Sequence, residues 1–96
     1  MIQRDSRCRR SDFIVYRQIG EEAVLVPIRG NVADLESIYT LNEVGKRIWQ
    51  LLDGQRTAEQ ISEVIVSEFE VDAQVGRKDV LGFLEELISL KAVEVV

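Results

Sequence analysis

The reactive inventory of this sequence is short. Its one cysteine, Cys8, stands between Arg7 and Arg9, where positive charge would lower a thiol pKa if the segment were ordered. A lone cysteine closes no internal disulfide. There is no histidine, which removes Ser-His and Cys-His catalysis, histidine metal sites and imidazole pH switching. The carboxylate pairs Glu21-Glu22 and Glu85-Glu86 are adjacent, so on a strand or helix they point apart and make poor acid–base partners. Gly76 precedes Arg77-Lys78, but the glycine spacing of a phosphate loop is missing. Nothing assembles a nucleophile, a base and an oxyanion donor. The residues point away from an enzyme, and from a resident metal or cofactor.

Charge is unevenly spread over the 96 residues. The first ten residues carry a net +3 and the remainder −8, for −5 in all. An acidic body repels nucleic acid phosphates. The arginine-rich residues 1–12 read as a flexible basic tail kept soluble by charge. Residues 13–96 read as one domain, since this length supports a single modest core. No apolar run reaches the ~18 residues of a membrane span and no signal peptide opens the chain, so the expected location is the cytoplasm.

The elements divide into a strand half and a helix half. Phe13–Gln18 and Ala23–Ile28 are rich in β-branched and aromatic residues and flank a glycine-containing turn, so they read as a hairpin. Pro27 belongs near a strand end, because it has no N–H for a ladder. A loop runs from Gly30 to about Leu35. Ser37–Leu41 is a third short strand, with Ile38 and Thr40 on one side and Tyr39 and Leu41 on the other. From Asn42 the apolar period changes to that of a helix. Asn42 is the expected cap, Val44, Ile48, Leu51 and Leu52 the stripe, and Gly45 the mark of a closely approaching neighbour. Gly54 suits a left-handed residue at the helix end. Thr57 and Gln60 form a capping box for a second helix that buries Ile61, Val64, Ile65 and Phe69. Asp72 caps a third helix running from Ala73 to Leu90. Ala92–Val96 is a β-prone tail that pairs with the sheet or packs under it. These elements predict an α+β, winged helix-turn-helix-like fold: a three-stranded antiparallel sheet followed by three helices.

The third helix is apolar over an unusually wide arc. With Val80 at zero, Leu84, Ile88 and Leu81 lie near about 40°, 80° and 100°, and Leu87, Phe83 and Leu90 near about 340°, 300° and 280°. An arc of about 180° exceeds the roughly 100° that one buried face requires. The pattern alone reads as core; the alternative is that Phe83, Leu87 and Leu90 face the core while Leu81, Leu84 and Ile88 form a second, partly open edge. A DNA-reading helix would be basic and polar, whereas this one presents leucine and isoleucine.

Leu41–Trp49 (LNEVGKRIW), Leu51–Gly54 (LLDG), Thr57, Ile61, Asp79-Val80, Phe83-Leu84 and Leu87 together resemble the PqqD-like family, the small peptide-binding proteins also called RiPP recognition elements. The resemblance spans roughly residues 13–95. It implies a non-enzymatic peptide chaperone of natural product biosynthesis. Such a protein binds the leader segment of a ribosomally made precursor peptide and presents it to a modifying enzyme, often a radical SAM protein. The leader adds as a strand beside the third strand, and its side chains lie against the third helix. Carried onto this chain, the peptide-binding residues are Ser37, Ile38, Tyr39, Thr40 and Leu41 of the strand and Arg77, Leu81, Leu84 and Ile88 of the helix. A free strand edge is suited to β-augmentation, and Arg77 offers a partner for an acidic leader residue. Members dedicated to pyrroloquinoline quinone carry a Pro-Glu step ahead of the Leu-Asn pair. Ala33–Ile38 lacks it, which favours another peptide system. The competing readings are a winged-helix DNA-binding regulator and an adaptor that docks a maturase without reading a peptide. An open edge also allows a monomer or a homodimer.

Overall fold

The structure is a computed structural model, and it describes residues 2–27 and 39–96. The expected loop from Gly30 to Leu35, and Ser37 and Ile38 at the start of the third strand, lie outside the described residues. So does the Ala33–Ile38 stretch compared with the quinone-pathway members.

The hairpin forms as the β-branched runs require. Strand β2 (Ile14–Ile19) pairs antiparallel with β3 (Glu22–Pro27), from Ile14 opposite Pro27 to Ile19 opposite Glu22. Gly20 turns the chain at φ +62, a conformation that costs a side chain most and glycine least. β4 (Tyr39–Leu41) pairs antiparallel with β3, placing Leu41 opposite Ala23 and Tyr39 opposite Leu25. Ala23, Leu25 and Leu41 are buried and Thr40 is exposed, the alternation that a half-buried sheet imposes. The order is β2-β3-β4.

Three helices follow, each started by local side-chain chemistry. Helix α1 (Glu43–Leu51) begins where Asn42 Oδ1 accepts from the Gly45 N–H at 2.8 Å. Helix α2 (Ala58–Phe69) opens with the full capping box. The Gln60 N–H donates to Thr57 Oγ1 at 3.1 Å, and the Thr57 N–H donates to Gln60 Oε1 at 2.8 Å. Helix α3 (Ala73–Ser89) starts where Asp72 Oδ1 accepts from the Gln74 and Val75 N–H groups. Ile48, Leu52, Ile61, Ile65, Val80, Leu84 and Leu87 make the centre of the core. No helix among the described residues is long and apolar enough to cross a membrane.

The expectation of a flexible tail over residues 1–12 does not hold. Arg7–Arg10 is strand β1, the middle strand of a second sheet ordered β5-β1-β6. Its neighbours are β5 (Asp53–Thr57) and β6 (Val93–Val95), both antiparallel to it. The physical reason is alternation. Cys8 points inward and is 1% exposed, while the arginines on either side point out. A strand with one inward apolar residue has almost no pattern of its own and is held by its partners. The Arg4 and Ser6 carbonyls also accept from the Glu59 and Ala58 N–H groups at the start of α2, positions that a helix leaves unsatisfied. Ile2 joins the core. Burial raises the Cys8 thiol pKa, the reverse of what the flanking arginines suggest, because their heads lie in water on the other face. The C-terminal segment pairs with β1, not with β4.

Candidate functional site

β4 is the last strand of its sheet, and only β3 pairs with it among the described residues. Its outer edge therefore offers main-chain donors and acceptors without ladder partners. The same holds at β2, the opposite margin. What distinguishes β4 is the helix beside it. The Tyr39 ring meets the Phe83 ring with centroids 6.2 Å apart and planes tilted by 53°, within the range of favourable aromatic pairs. The Tyr39 hydroxyl is pushed above the ordinary tyrosine range, first by burial and then by the charge and hydrogen bonding of Glu86.

Phe83 reaches this position because α1 has a glycine in the right place. A Cβ at Gly45 would lie 3.2 Å from Phe83 Cζ, 3.2 Å from Asn42 Oδ1 and 3.3 Å from Leu41 Cδ2. The ring thus packs where α1, α3 and β4 meet. Asp79 lies one turn before Phe83, and Leu90 one turn after Glu86. Asp79, Phe83, Glu86 and Leu90 follow helical spacing and share one stripe. Leu90 is 48% exposed, although the sequence pattern places it toward the core. Its position at the end of α3, past the last turn over the core, explains the difference.

The other sequence-predicted helix residues are placed elsewhere. Leu84 is 0% exposed and belongs to the core, so it lines no groove; it sits close to Val80 and Leu87 at the centre of the buried arc. Leu81 and Ile88 are half-buried against the core. They lie roughly 140–160° around the helix from Phe83 and Glu86. Arg77 shares their flank and is tied to α2: its Nη2 donates to Glu59 Oε1 at 2.9 Å, while its Nε is buried without a hydrogen-bond partner. Glu59 also accepts from Arg4 at 2.7 Å. Those arginines, Arg4 first, hold its carboxyl below the usual glutamate range. The structure therefore gathers Tyr39, Phe83 and Glu86 and leaves Arg77, Leu81 and Ile88 on the far flank. Phe83 and Glu86 were open to discovery: a glycine inside an amphipathic helix asks for a bulky neighbour, and Phe83 is the aromatic residue on α3.

Another concavity, of about 520 Å³, lies between the sheets and is lined by Arg9, Arg10, Tyr16, Trp49, Leu52 and Asp53, among others. Among the described residues no group of three or more Cys, Asp or Glu side chains is arranged to hold a metal.

The family model described as coenzyme PQQ synthesis protein D (PqqD) matches residues 22–93. A solved structure described as TbiB1 in complex with the TbiA(beta) leader peptide is similar at 30% identity, with a TM-score of 0.72. The match covers 90% of this chain and 94% of that one. No curated protein matches the sequence.

Proposed function

The chain belongs to the PqqD family, and from that premise we propose that it binds the leader segment of a ribosomally made precursor peptide as an added strand at β4. The role is binding and presentation, with the chemistry done by a separate modifying enzyme; family resemblance favours a radical SAM protein as that partner. The observation carrying this reading is the edge of β4, without a second strand among the described residues and set beside the Tyr39–Phe83 pair. The similarity to a protein solved with a leader peptide supports it. Main-chain hydrogen bonds along the edge would give affinity with little sequence demand, and the helix flank would give selectivity. The acidic body and the carboxylates of Asp79 and Glu86 disfavour the DNA-binding alternative, because nucleic acid binders neutralise phosphates with Lys and Arg.

The test is an amide titration. Labelled protein is mixed with synthetic peptides covering the leader of the short precursor encoded beside its gene. Shifts at Tyr39, Thr40, Leu41, Phe83 and Glu86 are expected. Shifts confined to β2, or to the Arg77–Leu81–Ile88 flank, would overturn the assignment of the edge.

A further inference from the structure

Among the described residues five acids are held in ion pairs, and the two that lie beside the open edge are not among them. Glu43 meets Lys46, Asp53 meets Arg56, Glu68 meets Arg47, Glu94 meets Arg9, and Glu59 meets both Arg4 and Arg77. Asp79 and Glu86 have no ion-pair partner among the described residues. Both lie on the α3 stripe that passes Tyr39. The basic residues of α3 do not compensate them: by helix geometry Arg77 and Lys78 lie about 80–180° away from the stripe, and Arg77 is engaged by Glu59.

Resting on the reading of β4 as the site of strand addition, we propose that Glu86 selects a peptide carrying a Lys or Arg two positions from an apolar anchor. The anchor sits on Tyr39 and Phe83. Phe83 and Glu86 are separated by about 4.5 Å along the helix axis. Side chains on one face of an added strand recur every ~6.7 Å. An apolar residue on the rings therefore brings the residue two positions away within reach of Glu86. A long basic side chain there lays its stem on the apolar surface and its charge against the carboxylate, with the Tyr39 ring available to the cation as well. An acidic residue in that place would face the Glu86 carboxylate, with Asp79 about 10.5 Å back along the helix axis adding to the negative field. The preference is opposite to the one that Arg77 suggests from sequence.

The test uses a displayed library of random 12-residue peptides, selected against the wild-type protein and against Glu86→Lys. Wild type is expected to enrich Lys or Arg two positions from an apolar residue. Glu86→Lys is expected to enrich Asp or Glu at that same position. In a selected peptide, exchanging the basic residue for Glu should weaken wild-type binding roughly fivefold or more and restore binding to Glu86→Lys. Glu86→Gln, checked for an unchanged unfolding midpoint, should lose the preference without reversing it. Identical peptides selected by both proteins, with amide shifts at residues 39–41, would overturn the charge selection and leave strand addition standing. Absence of any peptide that shifts residues 39–41 would overturn both.

Discussion

β4 and β5 are both outer strands, and the chain treats their free sides differently. Along β5 the main-chain donors find acceptors in the protein's own side chains. Asp53 Oδ1 accepts from the Gln55 and Arg56 N–H groups at 2.9 and 3.0 Å, and Gln60 Oε1 accepts from the Thr57 N–H. The strand is further broken by Gly54 at φ +78 and by a shift of register against β1. Along β4 no side chain among the described residues accepts from the N–H groups of Tyr39, Thr40 or Leu41. An edge blunted by charge and local hydrogen bonds is protected from strange strands. An edge with no such acceptors among the described residues, beside an aromatic pair, is the kind that β-augmentation uses. The position of side-chain acceptors separates the two cases where strand order alone does not.

That contrast can be broken in graded steps. Removing residues 2–10 takes away β1, the strand on which β5 and β6 depend; the cooperative urea transition should disappear, whereas a dispensable tail would leave it intact. Leu84→Ala should cost about 3 kcal/mol in urea unfolding, because the side chain is fully buried. Peptide affinity of the folded fraction should not change, which separates the core of α3 from its β4-facing stripe. Cys8→Ser should cost about 1–3 kcal/mol by the same measurement, since it places a hydroxyl in the core under β1.

The guard on β5 should also show in the pH profile. The N–H groups of Arg56 and then Gln55 hold the Asp53 carboxyl below the ordinary aspartate range. Its folded-state pKa is therefore lower than its unfolded one. The stabilisation is present above the unfolded value of about 3.9 and is lost as pH falls through the folded value. Asp53→Asn keeps an acceptor oxygen but does not titrate, so the acid limb of the unfolding midpoint should flatten relative to wild type. The smallest effect belongs to the bare edge. Thr40→Lys should move stability by less than about 0.5 kcal/mol, since Thr40 points to solvent and supports nothing.

The helices and the hairpin were legible because their signals are local. Asn42, Thr57 with Gln60, and Asp72 each cap the helix that follows them, and the β2–β3 run alternates around Gly20. The second sheet was not legible. Its middle strand has one inward residue, Cys8, among arginines, and its pairing partners lie 44 and 85 residues away in sequence, as in Arg9 opposite Asp53 and Glu94. The candidate site was legible at Tyr39, Thr40 and Leu41 as a strand, but not in the rotation of α3. A wide apolar arc has two margins, and periodicity ranks neither. Packing makes the choice: Val80, Leu84 and Leu87 fill the core, Arg77 goes to Glu59, and Phe83 takes the space that Gly45 leaves.

The bare α-carbon of residue 45 also determines who controls the tilt of the Phe83 ring. A methyl group there would press on an amide oxygen, a leucine methyl and the ring tip at nearly equal distance. The oxygen is committed to starting a helix and the leucine is held inside the molecule, so the ring is the part left to swing. The relief beside the strand can therefore be reshaped from behind, by a position that an incoming chain never meets.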